Sequence, residues 1–330
     1  MIRRFLVAMA MAVLACGWNA APARAEQSPL VDAQHDYNAG RYNRAVDALN
    51  AAIAKSPNDS TLYFLLGQSY YQLHEFARAA ASLETAVQFS PKNSEYHDWL
   101  GKSYGRRAEQ SLFLSAMSWA RKTHREFEIA AELDSRNFEA QRDLIRYEMN
   151  APAIVNGGDD KALKHIDELE KIDSIQGQLA RGEFLATKKR AGEADAVFGK
   201  ILESSADRAG VFFEVGEYFR GRQNAEKTSE AIEKAERIDP ADRRLKFYRG
   251  VVLVMKKENS GEAEMLLISY IATVPDNADL PPHAAAREWL GKLYESLGRF
   301  SEAAEQYRLS LTLDPHNKAV EEDWKRVQRK

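Results

Sequence analysis

A few residues of this 330-residue chain have the types and spacing that chemistry requires. Gly101-Lys102-Ser103-Tyr104-Gly105 spells G-x-S-x-G, the spacing of a serine nucleophile elbow. That chemistry needs a sharp strand-to-helix turn that holds the serine exposed, with a histidine and an acid beside it. Gly101-Lys102-Ser103 also matches the tail of a phosphate-cradling loop, but that loop needs a glycine five residues earlier, and position 96 is Tyr96. The seven histidines include no H-E-x-x-H and no pair at ligand spacing, so no metal site is expected. His74, His97 and His124 read as surface or inter-helix residues. Cys16 is the sole cysteine. No cofactor is expected.

The elements that would carry these residues follow a period of 34. Pro57 and Pro91 each close the same pattern, and in the second copy Tyr63, Leu66, Gly67, Tyr70, Ala79, Leu83 and Ala86 precede Pro91. The first copy runs through Ala33, Gly40, Ala45, Leu49 and Ala52 to Pro57. The third begins Trp99, Leu100, Gly101, Tyr104 and ends Phe127, Ala130. A fifth has Gly182, Ala194 and Phe198, and a sixth has Phe212, Gly216, Phe219, Ile232, Ala235 and Pro240. The seventh, with Gly250, Ala263, Leu267 and Pro275, has one residue extra between its helices. The eighth has Trp289, Leu290, Gly291, Tyr294, Gly298, Ala303, Tyr307 and Pro315. A glycine lets two helices approach, an aromatic fills the space that leaves, and proline ends the second helix for want of an N–H. Asp59 or Ser60, and Asn93 or Ser94, are positioned to cap helix starts. No segment alternates with period two, so essentially no strand is expected.

The period, the helix–turn–helix layout and these positions resemble the tetratricopeptide repeat (TPR) family over about Ser28 to Pro315. The resemblance implies an all-α fold, a right-handed superhelical solenoid of about eight helix-turn-helix repeats, that binds a protein or peptide and carries no chemistry of its own. It also places Gly101 and Tyr104 inside a helix, which leaves a hydrolase using Ser103 as a remote alternative. The stretch from Lys318 to Lys330 reads as a capping helix, with Ala319, Val320, Trp324 and Val327 on its apolar side. The domain reading is therefore a leader over 1–25, a solenoid over 26–315 and a cap over 316–330.

The leader rests on Arg3 and Arg4, the apolar run Phe5–Ala15 and an Ala23-Arg24-Ala25 cleavage site, which together imply a protein exported to the bacterial periplasm. An alternative is a lipid-anchored structural component of an envelope assembly machine, because Val13-Leu14-Ala15-Cys16 resembles a bacterial lipobox. Membrane attachment is expected only in that case. Cutting after Ala25 removes three arginines and no acid, which deepens the net charge from −3 to −6. An acidic chain argues against nucleic acid as a ligand.

Two departures from the repeat stand side by side. The third copy is about ten residues too long between Tyr104 and Phe127, which predicts a lengthened helix around 105–125 that carries Leu112, Phe113, Leu114, Met117 and Trp119. In the fourth copy Pro152 and Gly157-Gly158 break helix in a loop over 151–158, after which Asp159 or Asp160 would cap a new helix. Ile154 and Val155 either cover the extra apolar residues or help form a lip on the binding groove, with Trp119 as its anchor. The family places its concave surface on the first helix of each repeat. That implies Phe64, Gln68 and Tyr71, then Asp98, Lys102 and Arg106, then Phe213, Glu217 and Arg220, and then Arg244 and Phe247 as partner-binding positions. The carboxylate-gripping set of chaperone-binding members is replaced at its first places by Leu30, Gln34 and Phe64.

Overall fold

The computed structural model describes residues 29–277 and 280–330; the leader, its cleavage site and Cys16 lie outside them. The described residues are all-α, with seventeen α-helices and no strand. The first four hairpins are α1 (Pro29–Asn38) with α2 (Tyr42–Lys55), α3 (Ser60–Gln72) with α4 (Phe76–Phe89), α5 (Ser94–Glu109) with α6 (Phe113–Leu133), and α7 (Phe138–Asn150) with α8 (Asp159–Ile172). The next four are α9 (Ser174–Thr187) with α10 (Ala191–Glu203), α11 (Ala209–Gly221) with α12 (Ala225–Ile238), α13 (Leu245–Lys256) with α14 (Ser260–Thr273), and α15 (His283–Ser296) with α16 (Phe300–Leu313). A last helix, α17 (Lys318–Val327), closes the array. Each helix packs on the one before and the one after, as a helical solenoid requires.

Local chemistry sets the helix starts. Asp59, Asn93, Asn137, Asp173, Asn224 and Asn317 each accept a backbone N–H from the first turn that follows. The start of α8 differs from expectation. Gly158, with φ of +154°, stands at the cap and accepts no side-chain bond, while Asp159 and Asp160 lie in the first turn, where they favour the helix dipole. The turn of the seventh copy holds two residues, Lys257 and Asn259, at positive φ.

Small residues set the inter-helix distance. A Cβ on Gly101 would lie 2.6 Å from the Phe127 ring, and one on Gly291 would lie 2.5 Å from Tyr307. Tyr70, Tyr104, Phe219 and Tyr294 fill the adjoining space and are buried. On α17 Val320 and Val327 are buried and Trp324 is half-buried, but Ala319 faces solvent, so the cap's apolar side is narrower than its sequence suggested.

The superhelix also meets itself. The Tyr42 hydroxyl donates to the Asp276 carbonyl at 3.3 Å, and Arg243 donates to the Asn38 carbonyl at 3.3 Å. The first hairpin thus touches the seventh, across a cavity of about 830 Å³.

Candidate functional site

Odd-numbered helices from α3 to α13 supply most of the lining of two clefts. One, of about 430 Å³, takes Tyr71 from α3, Trp99, Lys102, Arg106 and Glu109 from α5, and Glu139, Asp143, Arg146 and Tyr147 from α7. The other, of about 660 Å³, takes Arg142 and Arg146 from α7, Glu183 from α9, and Phe213, Glu214, Glu217 and Arg220 from α11. Arg244, Phe247 and Tyr248 also line it, together with Leu280, Pro281 and Pro282. Arg146 belongs to both clefts, so they form one groove.

A ladder of alternating charge runs along its floor. Lys102 pairs with Asp98 (2.9 Å), Asp143 (3.3 Å) and Glu139. Arg146 joins Asp143 (3.1 Å) to Glu183 (2.8 Å), and Arg142 joins Glu183 (3.1 Å) to Glu214 (2.5 Å). Burial opposes ionisation of Glu183, yet Arg146 and Arg142 outweigh it and hold the carboxyl below its usual range. Asp98 goes the other way. Burial, reinforced by Asp143 and Glu139, overcomes Lys102 and pushes the Asp98 carboxyl up to about 7.

The expected positions fall into two groups. Gln68, Tyr71, Lys102, Arg106, Arg220 and Arg244 are partly accessible and Glu217 is exposed; of these, all but Gln68 line the two clefts. Phe64, Phe213 and Phe247 are buried at 9%, 2% and 2% exposure, and Asp98 at 2%. Phe64 stacks on Tyr96 at 4.5 Å and is core, whereas Phe213 and Phe247 form cleft wall, with the Arg244 guanidinium 4.1 Å above the Phe213 ring. Trp119 lines neither cleft. Its ring lies against Tyr104 (5.3 Å) and is flanked by Arg107 (3.6 Å) and Lys122 (4.6 Å). The loop over 151–158 covers α6 only in part, because Val155 is buried while Ile154 is 63% exposed.

The ladder residues Glu139, Arg142, Asp143, Arg146, Glu183 and Glu214 are absent from the positions read in the sequence. A signal was present: the four-residue step from Asp98 to Lys102 on α5 recurs from Glu139 to Asp143 on α7, with Arg146 three residues further on. The fourth copy lacks the signature residues that would have aligned it.

Two other arrangements bear on chemistry. Ser103 sits within α5, fully buried, and its hydroxyl has no hydrogen-bond partner among the described residues. A nucleophile elbow is not formed there. Asp98, Glu139 and Asp143 bring carboxylate oxygens within 4.8 Å of one another, but the cation among them is the Lys102 ammonium. His74 is exposed and His97 and His124 lie between helices, as the sequence reading has them, and chain folding adds partners that spacing does not show. Glu148, 1% exposed, lies 2.7 Å from His165 and 3.4 Å from His124, and His124 also reaches Glu128 (3.1 Å). His97 bridges Glu126 (2.6 Å) and the Pro91 carbonyl (3.0 Å).

Paired helices, small-to-large inter-helix contacts, an inward charged groove and a terminal cap define a helical-repeat solenoid. Profiles described as tetratricopeptide repeat match residues 30–94 and 284–317, at the two ends of the array. The chain is a tetratricopeptide repeat protein, of a kind that generally serves as a protein-interaction scaffold. It is similar to a tetratricopeptide repeat protein from Parabacteroides merdae, at 13% identity over 91% of this chain and 97% of that one, with a TM-score of 0.43. It is also similar to the C-terminal part of a TPR repeat-containing protein from Cytophaga hutchinsonii, at 15% identity over 89% of this chain and 98% of that one, with a TM-score of 0.35. Neither likeness bears on what this chain binds. No curated protein matches its sequence.

Proposed function

We propose that the chain is a non-catalytic scaffold whose inner groove holds an extended peptide segment of a partner protein. The observation that carries this is the charge ladder from Lys102 to Glu214, contributed by α5, α7, α9 and α11 and shared by both clefts. Its members compensate one another, so the groove carries no strong field of either sign. That suits a peptide of mixed charge better than a polyanion such as nucleic acid. Buried ion pairs contribute more to specificity than to raw affinity, because a mismatched ligand strands a charge. Aromatic walls at Tyr71, Trp99 and Tyr248 supply apolar contact between the charged positions.

The residues over 1–25 support export, and the groove reading does not depend on whether Cys16 carries lipid. The test places a photo-crosslinking amino acid at Tyr71, Arg106 or Arg220 in the groove, and at Arg308 on α16 as an exposed control outside both clefts. One partner protein captured from all three groove positions, and not from Arg308, is the expected result. Capture from Arg308 alone, or equally from all four, would sink the reading.

A further inference from the structure

The hairpin of α5 and α6 differs from the others in what its turn exposes. α6 has 21 residues against 14 for α4. Ala86 and Ala130, each three residues before its helix end, are both fully buried, so the two helices end in register. The additional length therefore lies at the start of α6 and carries the turn about 10 Å further, at 1.5 Å per residue. There Leu112, Phe113 and Leu114 are 87%, 74% and 80% exposed. Apart from Met265 and Ile268, one turn apart on α14, the other exposed large apolar side chains occur singly along the described chain.

A collar of cations stands behind this tip. Between Gly105 and Arg125 the sequence places Arg106, Arg107, Arg121, Lys122 and Arg125 against Glu109 alone, in a chain that is acidic overall. Arg106 pairs with Glu109. Among the described residues no carboxylate lies within ion-pair distance of the other four. Arg107 and Lys122 lie on the Trp119 ring, and Arg121 donates to the Ile154 carbonyl at 3.3 Å. Trp119 thus holds two cations against its ring.

We propose that this tip docks on the surface of a membrane that carries anionic phospholipid. A convex tip of three side chains buries about 600 Å² at most, on the order of 200 Å² per large residue, which falls below the roughly 800 Å² per partner of a standard protein interface. A lipid surface needs no complementary groove. Apolar residues settle about 5–10 Å into the headgroup and acyl boundary, and Arg121, two helical turns or about 12 Å behind Phe113, then reaches the phosphates. No described helix is long and apolar enough to cross a membrane, so the contact is peripheral. It requires no lipid on Cys16 and differs from the membrane attachment read in the sequence.

The experiment is vesicle co-sedimentation, run with the full chain and with a chain starting at Glu26. The shorter chain keeps every described helix and lacks the apolar run Phe5–Ala15, which could bind lipid by itself. Vesicles are phosphatidylcholine alone, or phosphatidylcholine with one quarter phosphatidylglycerol. Wild type is expected on the anionic vesicles, with binding weakened by salt and weak on the neutral ones. Replacing Leu112, Phe113 and Leu114 together by serine should lower binding at least about 10-fold, and each of Arg121→Gln and Lys122→Gln about 5-fold. Phe113→Trp should shift its emission to the blue on anionic vesicles only. Circular dichroism melts establish that the variants are folded. Equal binding to both vesicle types, no binding to either, or full binding by the serine variant would overturn the proposal. So would concentration-dependent dimers that the serine variant abolishes, since the tip would then pair copies of this chain.

Discussion

The C-terminal repeats and the junction of the third and fourth are built from the same hairpin but close differently. From Leu179 to Val327 the buried apolar residues form one continuous cluster that passes through every hairpin. Around α6, α7 and α8 the apolar residues divide into two smaller groups, one on Phe127, Ala131 and Leu144 and another on Ile145, Ile166 and Leu169. Beside them lie the buried Glu148 and its two histidines. The loop over 151–158 is fastened by polar contacts as well. The Tyr147 hydroxyl lies 2.8 Å from the Ala120 carbonyl and 2.6 Å from that of Val155, and the Gly158 N–H donates to the Glu148 carbonyl at 2.7 Å. Where a repeat keeps its pattern, volume complementarity fixes the helices. Where a helix outgrows the pattern, directional bonds take over, because no facing helix is long enough to cover the excess.

The comparison is broken most forcefully in the regular half. Tyr307 is fully buried and sits in the space left by Gly291. Tyr307→Ala should lower the unfolding free energy by about 4 kcal/mol, since the transfer and cavity losses add. Urea denaturation followed by circular dichroism reads it, and a loss under about 1 kcal/mol would mean the C-terminal core is not close-packed. The matching change at the junction is Glu148→Ala, which takes the shared carboxylate from the buried His124 and the half-buried His165. About 2 kcal/mol is expected, with amide exchange accelerated over 151–158 and unchanged over 284–317. Acceleration across the whole chain would show that the junction is not a separate unit.

The junction should also answer to pH, through Glu148 and His165 together. Burial raises the Glu148 carboxyl, but hydrogen bonds from His124 and His165 outweigh it and the net shift is downward. The His165 imidazolium is favoured first by its hydrogen bond to Glu148, and its shift is upward. A lowered acid contributes stability above its usual 4.5, which is lost as pH falls through the folded value. A raised histidine contributes below its usual 6.5, which is lost as pH rises through the folded value. The pair therefore contributes fully between those two pH values and declines on either side. Thermal melts from pH 3 to 9 should show this optimum, and His165→Gln should flatten the alkaline limb. An alkaline limb identical in the variant would remove His165 as its cause.

What the sequence disclosed and what it hid divide along the same line. The glycine–aromatic pair Gly291–Tyr307 stands at the repeat offset of 16 and Gly101–Phe127 at that offset lengthened by ten, and local spacing was enough to find them. The asparagine and aspartate caps are local too. His124, Glu148 and His165 are 24 and 17 residues apart, at no repeat offset, and meet only through the packing of α6, α7 and α8. The ladder was half visible: Lys102 was found on its groove position, while Arg142, Arg146 and Glu183 belong to copies whose signature residues had eroded. Phe213 and Phe247 had the correct helix but not the correct depth, because a period gives the face of a helix and not how far its neighbours cover it.

The smallest effect concerns the contact that ties the regular half back to the first repeat. Gly40 has φ of +71°, and a Cβ there would stand 2.8 Å from that of Pro275. Gly40→Ala therefore combines left-handed strain with a clash between hairpins, about 1 kcal/mol for the strain alone. Arg243→Ala removes only an exposed hydrogen bond to the Asn38 carbonyl, so its stability cost is expected within about 0.5 kcal/mol. The two separate when the radius of gyration is measured by small-angle scattering. Gly40→Ala pushes the first hairpin from the seventh and should expand the particle, whereas Arg243→Ala leaves the Tyr42–Asp276 bond and should not. Expansion by Arg243→Ala as well would make this polar contact, rather than the curvature of the packed repeats, the feature that holds the superhelix closed.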